Sequence, residues 1–275
     1  MRRVRYWLQY WKDRLSSIPA ATRHRALFDG VERYCMFLGY PRSGHTLYGA
    51  LLDAHQDAVV AHELDALFYV ERGISRNQLY ALLLKRDRWF IENGCSWSGF
   101  SYRVPNQHQG SFGKLRVIGD KKGGVSATRL RKNPDLLTEL RGIVGVPLRI
   151  FHIVRNPFDN ISTMCRRNEK PLEQNIDLYF DMAETNGKAI ATIEPSELMV
   201  IRHEDFISGP RPYLRRMVEF IGLGADERYV EDCAGIVIEK QSRSRDKMEW
   251  PAEAIKKVQA RMRQHPFLDG YSFEN

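Results

Sequence analysis

Two apolar stretches, Tyr34 to Leu38 and Leu148 to Val154, each run directly into a loop that carries an arginine, and this repetition constrains the fold more than any other feature. The first continues as Gly39-Tyr40-Pro41-Arg42-Ser43-Gly44-His45-Thr46, the second as Arg155-Asn156-Pro157. In the first, Gly44 lets the backbone turn so that the amides of Ser43 to Thr46 point inward at the start of a helix, which is how a chain cradles a phosphate-like anion. The strand before the loop and the apolar helical run after it (Leu47, Tyr48, Leu51, Leu52) supply the context a cradle needs. A strand-to-helix turn whose glycines serve packing alone has the same composition.

Five short apolar runs read as strands: Cys35 to Leu38, Ala58 to Ala61, Leu115 to Ile118, Leu148 to Val154 and Leu198 to Ile201. Helical patterns fall at Thr46 to Ala54, Gln78 to Phe90, Pro134 to Gly142, Phe158 to Arg167, Leu172 to Ile190, Pro210 to Ile221 and Ala252 to Gln264. Buried strands alternating with helices predict an α/β fold, a P-loop-like parallel sheet with helices on both faces. Ligands of such sheets bind beyond the strand carboxyl ends, where Gly39, His62, Gly119 and Arg155 all fall. No Pro/Ser linker divides the 275 residues, so the expected organisation is a helical extension over 1–30 and one domain over 31–275.

The loop is a poor fit to ATP or GTP. A P-loop NTPase places Lys before the Ser/Thr, facing the β- and γ-phosphates, and here that position is His45. An imidazole of ordinary pKa is only about a quarter protonated at pH 7. The cation stands instead at Arg42, and the later strand leads to Arg155 where an NTPase carries the Asp that holds Mg²⁺.

Pro41-Arg42-Ser43-Gly44-His45-Thr46 resembles the 5′-phosphosulfate loop of the sulfotransferases that use 3′-phosphoadenosine 5′-phosphosulfate, and Arg155-Asn156-Pro157-Phe158-Asp159 resembles their 3′-phosphate motif. Ile201-Arg202-His203-Glu204-Asp205-Phe206 and the following Phe220-Ile221-Gly222-Leu223 resemble two further segments of that family in order and spacing. Leu51-Leu52-Asp53-Ala54-His55 is similar to a segment of the tyrosylprotein and related bacterial enzymes. The departures are His45 for the usual Thr, and His203 where the cytosolic branch carries an adenine-facing Tyr.

The resemblance implies an enzyme moving a sulfuryl group from 3′-phosphoadenosine 5′-phosphosulfate to a hydroxyl or amine acceptor, leaving adenosine 3′,5′-bisphosphate, without a metal. It implies that Arg42, Ser43, Gly44, His45 and Thr46 hold the 5′-phosphosulfate and that Lys121 approaches the transferring group. Arg155, Ser162, Thr163 and Arg167 would hold the 3′-phosphate, with Arg243 or Arg245 closing over it. For each lysine or arginine the plain alternative is a solvated surface charge. Ala61-His62-Glu63 offers two adjacent candidates for the general base, and neighbours on an extended chain point to opposite sides. Glu63 is preferred, because its distance from Arg42 matches that of the catalytic glutamate in the tyrosylprotein enzymes; His62 is then a structural histidine. The rivals are a P-loop kinase of a small molecule and a basic nucleic-acid-binding protein.

Lys+Arg 42 against Asp+Glu 34 suits an anionic ligand, but the basic residues are dispersed, with no nucleic-acid-recognition motif among them. The four cysteines show neither metal spacing nor close pairs, which fits a reducing, cytoplasmic setting. Residues 93–114 are rich in Gly, Ser and Asn with Trp97, Phe100, Tyr102 and Phe112, and read either as an acceptor-binding lid or as an ordinary surface excursion. At the N-terminus Val4, Leu8, Trp11 and Leu15 recur at helical spacing among arginines. This amphipathic helix is expected to pack on the domain, ahead of a partner subunit in a homodimer or peripheral contact with an anionic membrane; no apolar run is long enough to span a bilayer. The acceptor's class is not legible.

Overall fold

The computed structural model describes residues 2–238 and 242–275, with side chains from Trp7 onward. Among the described residues seven strands form: β1 (Arg33–Gly39), β2 (Ala58–His62), the two-residue β3 (Ser96–Trp97) and β4 (Phe100–Ser101), β5 (Val117–Lys121), β6 (Leu148–Val154) and β7 (Leu198–Arg202). The main sheet has the order β2-β5-β1-β6-β7, and every pairing in it is parallel. β3 and β4 pair antiparallel as a separate hairpin.

Alternation along β1 explains why helices cover both faces. Tyr34, Met36 and Leu38 enter a core with Phe28, Leu79, Tyr80, Leu83 and Leu137, while Cys35 and Phe37 enter a second with Tyr48, Leu51, Phe206 and Leu214. Each fully buried side chain of this size contributes about 1.5–3 kcal/mol, and a strand buried on both sides reads as a continuous apolar run. A third cluster, around Tyr40, Phe158, Tyr179 and Phe180, closes the sheet's carboxyl end.

Two expectations are corrected. β5 begins at Val117 and continues through Asp120 to Lys121, so Lys121 is the last strand residue and not a loop residue beyond it. Polar residues ended the apolar run in the sequence, but both have partners here. Asp120 accepts the amides of Leu64 (3.0 Å) and Ala66 (2.7 Å), and Lys121 is ion-paired.

The N-terminal helix, Arg2–Arg23, packs along the helix Arg76–Glu92, but through Tyr10, Asp13, Ser17 and Ala21. Asp13 accepts from Tyr69 Oη at 2.9 Å and pairs with Lys85 at 3.2 Å. The expected apolar stripe lies outside: Leu8 is 67% exposed, Trp11 48% and Leu15 63%, while the side chain of Val4 falls outside the described residues. Periodicity identified the helix but chose the solvent face, because the packed face is held by a buried carboxylate and hydroxyls. Among the described residues no helix is long and apolar enough to cross a membrane.

Candidate active site

β1 delivers the chain to the loop Tyr40–Gly44, and the helix His45–Asp53 begins immediately after it. Gly44 has φ 85°, and a methyl group there would lie 2.9 Å from His203 Cε1, so only glycine allows this close approach. Asn160, from the helix Pro157–Asn168, clamps the loop: its Nδ2 donates to the Pro41 carbonyl oxygen (2.8 Å) and its Oδ1 accepts from Ser43 Oγ (3.1 Å). Nothing in the sequence reading singled out Asn160; its position one turn into the helix after Arg155 was the available signal.

The loop opens on a cavity of about 390 Å³ whose walls include Arg42, Thr46, Glu63, Lys121, Thr163 and Arg167. The hairpin closes one side with Trp97, Ser98 and Phe100, and Tyr102 follows it, so three of the four aromatics of the irregular stretch face the site. Phe112 packs instead against the core on the other side of the sheet. Arg42 (φ 71°), Glu63 (φ 58°) and Ser98 (φ 53°) hold left-handed backbones around this cavity, a strain of about 1–3 kcal/mol each that characteristically collects at functional sites.

Register places the central pair. His62, last in β2, sits opposite Lys121, last in β5, which brings the next residue, Glu63, against the lysine. Lys121 is 2% exposed; its Nζ donates to Glu63 Oε1 (2.9 Å) and Thr46 Oγ1 (3.1 Å). It threads past Gly49 of the cradle helix, where a methyl group would stand 2.7 Å from Lys121 Cγ. Lys122 Nζ reaches Glu63 Oε2 at 2.9 Å, a contact the sequence reading missed. Burial pushes the Lys121 ammonium down to about 8 against the pull of Glu63. For Glu63 burial pushes upward, but the two ammonium groups outweigh it and hold the carboxyl down to about 2.

His62 turns away from the cavity. Its ring stacks on Phe90 (4.1 Å, 7°) and meets Trp97 edge-on, and burial lowers its pKa to about 3. His45 lines the cavity but its Nε2 is spent on the Leu38 carbonyl oxygen (3.2 Å), and burial lowers it to about 4. The ring is therefore neutral, and cannot replace the P-loop lysine. His203 is half-buried, and desolvation likewise lowers it to about 3, with Nδ1 3.0 Å from Tyr48 Oη.

The remaining sequence candidates divide. Thr163 and Arg167, one helical turn apart, both line the cavity. Thr163 donates to the Asp159 carbonyl oxygen at 2.8 Å and lies 3.0 Å from Ser244 Oγ. Arg155 is almost fully buried behind the loop, donating to the carbonyl oxygens of Arg42 (3.1 Å) and Ser242 (2.7 Å). Like Arg155, three more do not line the cavity. The Ser162 hydroxyl accepts from Trp250 Nε1 (3.0 Å); Arg245 is buried in a bidentate pair with Asp159; Arg243 bonds Asp246 and the Glu274 carbonyl oxygen at the surface.

An anion is what this lining fits. Arg42 and Arg167 face the cavity and neither has a carboxylate partner among the described residues, while a glycine cradle opens between them. Among the described residues no group of His, Cys, Asp and Glu is gathered as a metal site.

Fold and site together define a parallel α/β protein whose cavity, at the carboxyl ends of its strands, is lined by cations suited to an anion. The sulfotransferase family matches residues 36–227, and the chain belongs to that family: it is a sulfuryl-transferring enzyme. Among solved structures it is similar to the sulfotransferase domain from the curacin biosynthetic pathway, with 14% identity, a TM-score of 0.56, and coverage of 85% of this chain and 97% of that one. It is also similar to the sulfotransferase STF1 from Mycobacterium tuberculosis H37Rv, with 13% identity, a TM-score of 0.50, and coverage of 89% and 80%. No curated protein sequence matches the chain. The kinase and nucleic-acid readings find no support.

Proposed function

We propose that the enzyme takes 3′-phosphoadenosine 5′-phosphosulfate as donor and sulfates a hydroxyl or amine by in-line transfer. The observation that carries this reading is the Glu63–Lys121 pair set at the strand ends of a cavity that also holds two cations without carboxylate partners. The donor supplies an activated sulfuryl group: the acceptor oxygen or nitrogen bonds to sulfur as the bond from sulfur to the 5′-phosphate oxygen breaks, and the acceptor's proton leaves to a base.

The chain's own groups divide that work. Arg42, Gly44 and the amides from Ser43 to Thr46 bind the 5′-phosphosulfate, and Arg42 with Lys121 stabilises the charge that grows on the bridging oxygen. Thr163 and Arg167 take the 3′-phosphate. Arg155, through the carbonyl oxygens it holds, keeps the Arg42 backbone in its left-handed turn. Glu63 is ionised in the free enzyme and accepts the acceptor's proton. Its low pKa comes from Lys121 and Lys122, and anionic oxygens drawing those ammonium groups would make it the stronger base the reaction needs. The reading includes no metal ion.

Residues 31–275 act as the catalytic unit with 1–30 as an extension. Four cysteines without disulfides, three of them buried, favour a reducing compartment such as the cytoplasm.

The deciding experiment is a thermal shift. Adenosine 3′,5′-bisphosphate should raise the Tm, more than ATP with Mg²⁺ does, and Arg42→Ala should lower turnover by roughly 10² to 10³ at saturating donor. The absence of any shift would remove the donor assignment, and normal turnover in Arg42→Ala would leave that residue as a ground-state clamp.

A further inference from the structure

A second cavity, about 600 Å³, lies across Glu63 and Lys122 from the first, and these two residues belong to both walls. Its other walls come from Leu64 and Asp65 and from three helices, Arg2–Arg23, Ala66–Val70 and Arg76–Glu92, with Tyr10, Phe68, Tyr69 and Leu82 supplying an apolar surface beside the charged Asp13, Lys85 and Arg86. At its rim stand Lys12, exposed and without an ion-pair partner among the described residues, and Trp89, 40% exposed under the Arg86 guanidinium at 4.0 Å. Glu63 is thus reachable from this side as well as from the first cavity, beside that apolar surface.

Beside that rim the N-terminal helix leaves Trp7, Leu8, Trp11, Leu15 and Ile18 on one face, each between 48% and 67% exposed, with Trp7 and Trp11 stacked at 6.4 Å. A second copy of the chain is a poor occupant for this face. From Trp7 to Ile18 the stripe is about 17 Å long and a helix about 10 Å wide, so it offers roughly 200 Å², far below the ~800 Å² per partner of a stable dimer. The helix also carries Arg2, Arg3, Arg5, Lys12, Arg14 and Arg23 against a single acid, Asp13, which is already paired with Lys85. Like charge opposes self-association, whereas exposed tryptophans beside lysine and arginine are the composition of a helix lying in a lipid interface.

We propose that the N-terminal helix seats on an anionic lipid surface and that the second cavity is the acceptor site, taking the hydroxyl headgroup of a membrane-borne amphiphile. This rests on the sulfotransferase reading. The transfer is the one given above, with the amphiphile's hydroxyl oxygen bonding to sulfur and its proton passing to Glu63, and it needs no further reactant.

Flotation of the purified full chain with phosphatidylcholine vesicles, with and without phosphatidylglycerol, tests the surface. Binding should need phosphatidylglycerol and fade with salt, and Trp7→Ser/Trp11→Ser/Leu15→Ser should weaken it by about a hundredfold while leaving the Tm shift with adenosine 3′,5′-bisphosphate unchanged. Wild-type protein that ignores anionic vesicles, a variant that binds as well as wild type, or a dimer that the substitutions dissociate would each overturn the lipid assignment. For the cavity, labelled sulfate should pass to octyl glucoside and not to glucose, and Phe68→Ala should lower that transfer with the nucleotide-induced shift intact. Equal labelling of glucose, or labelling of neither while the nucleotide still raises the Tm, would overturn the acceptor assignment. A chain whose Tm the nucleotide leaves unmoved would fail the donor reading instead.

Discussion

In the proposed mechanism Glu63 is the residue on which the chemistry turns, and its surroundings make opposite demands on it. Lys121 and Lys122 keep it ionised across the neutral range, which guarantees a base but a weak one until the ammonium groups are drawn elsewhere. Glu63→Gln should therefore lower turnover by roughly 10² to 10⁴ with nucleotide binding retained, whereas His62→Asn, altering a ring stacked on Phe90, should act on stability more than on rate. Steady-state kinetics beside a nucleotide titration separates the two, and a dead His62→Asn next to an active Glu63→Gln would exchange their roles. Lys121 adds a pH limb. Its folded-state pKa is depressed to about 8, so it is charged below that pH and neutral above it. In the free enzyme kcat/KM should fall as pH rises through about 8, while kcat, measured with donor anion beside the ammonium, should fall only at higher pH. Lys121→Arg should remove the limb from the kcat/KM profile, and a profile unaffected by that change would show that another group titrates there.

At the scale of elements, the helix Pro157–Asn168 does more than follow β6. Asn160 clamps the cradle, Thr163 and Arg167 face the cavity, and Asp159 anchors Arg245, which also donates to the carbonyl oxygens of Ser272 (2.9 Å) and Phe273 (2.8 Å). Arg245 is thus the tie between the late loop, the C-terminal residues and this helix. Removing one partner of a buried ion pair strands the other, so Arg245→Ala should cost about 3–5 kcal/mol in urea unfolding, while Arg243→Ala, exposed, should cost little. Equal costs would contradict the buried pair. Much of this element was legible: the Arg155-Asn156-Pro157 start and the hydroxyl residue eight positions on located it. The division of labour among its side chains was not. Ser162 and Thr163 are neighbours, and only the helix's rotation sends one hydroxyl to Trp250 and leaves the other at the cavity. The same limit misread the N-terminal helix, where apolar spacing marked the exposed face because the packed one is polar.

Over the whole molecule, the sheet and its two apolar faces were readable because buried parallel strands are written as continuous hydrophobic runs. β5 overran its apolar run because Asp120 and Lys121 have partners. A further long-range pairing links the cradle helix to the helix Arg76–Glu92: burial raises the carboxyls of Asp53 and Asp87, and Asp87 raises Asp53 further while the hydrogen bond with Asp53 offsets part of the rise at Asp87. A carboxyl whose folded pKa is raised contributes stability that is complete at acidic pH and is lost as pH rises through that folded value. Stability should accordingly decline above the ordinary carboxylate range, and Asp87→Asn should flatten the decline in a Tm-against-pH series; an unchanged slope would place the dependence elsewhere.

The strand order has a kinetic consequence. β1 sits between β5 and β6, each paired with it across on the order of 100 residues of chain, so the cradle after β1, Glu63 after β2, Lys121 in β5 and Arg155 after β6 become neighbours only when β2, β5, β1 and β6 have all paired. A fragment lacking any of these strands lacks part of the cavity lining. During refolding, recovery of nucleotide affinity should coincide with the final cooperative step, which makes the ligand a reporter of completed assembly.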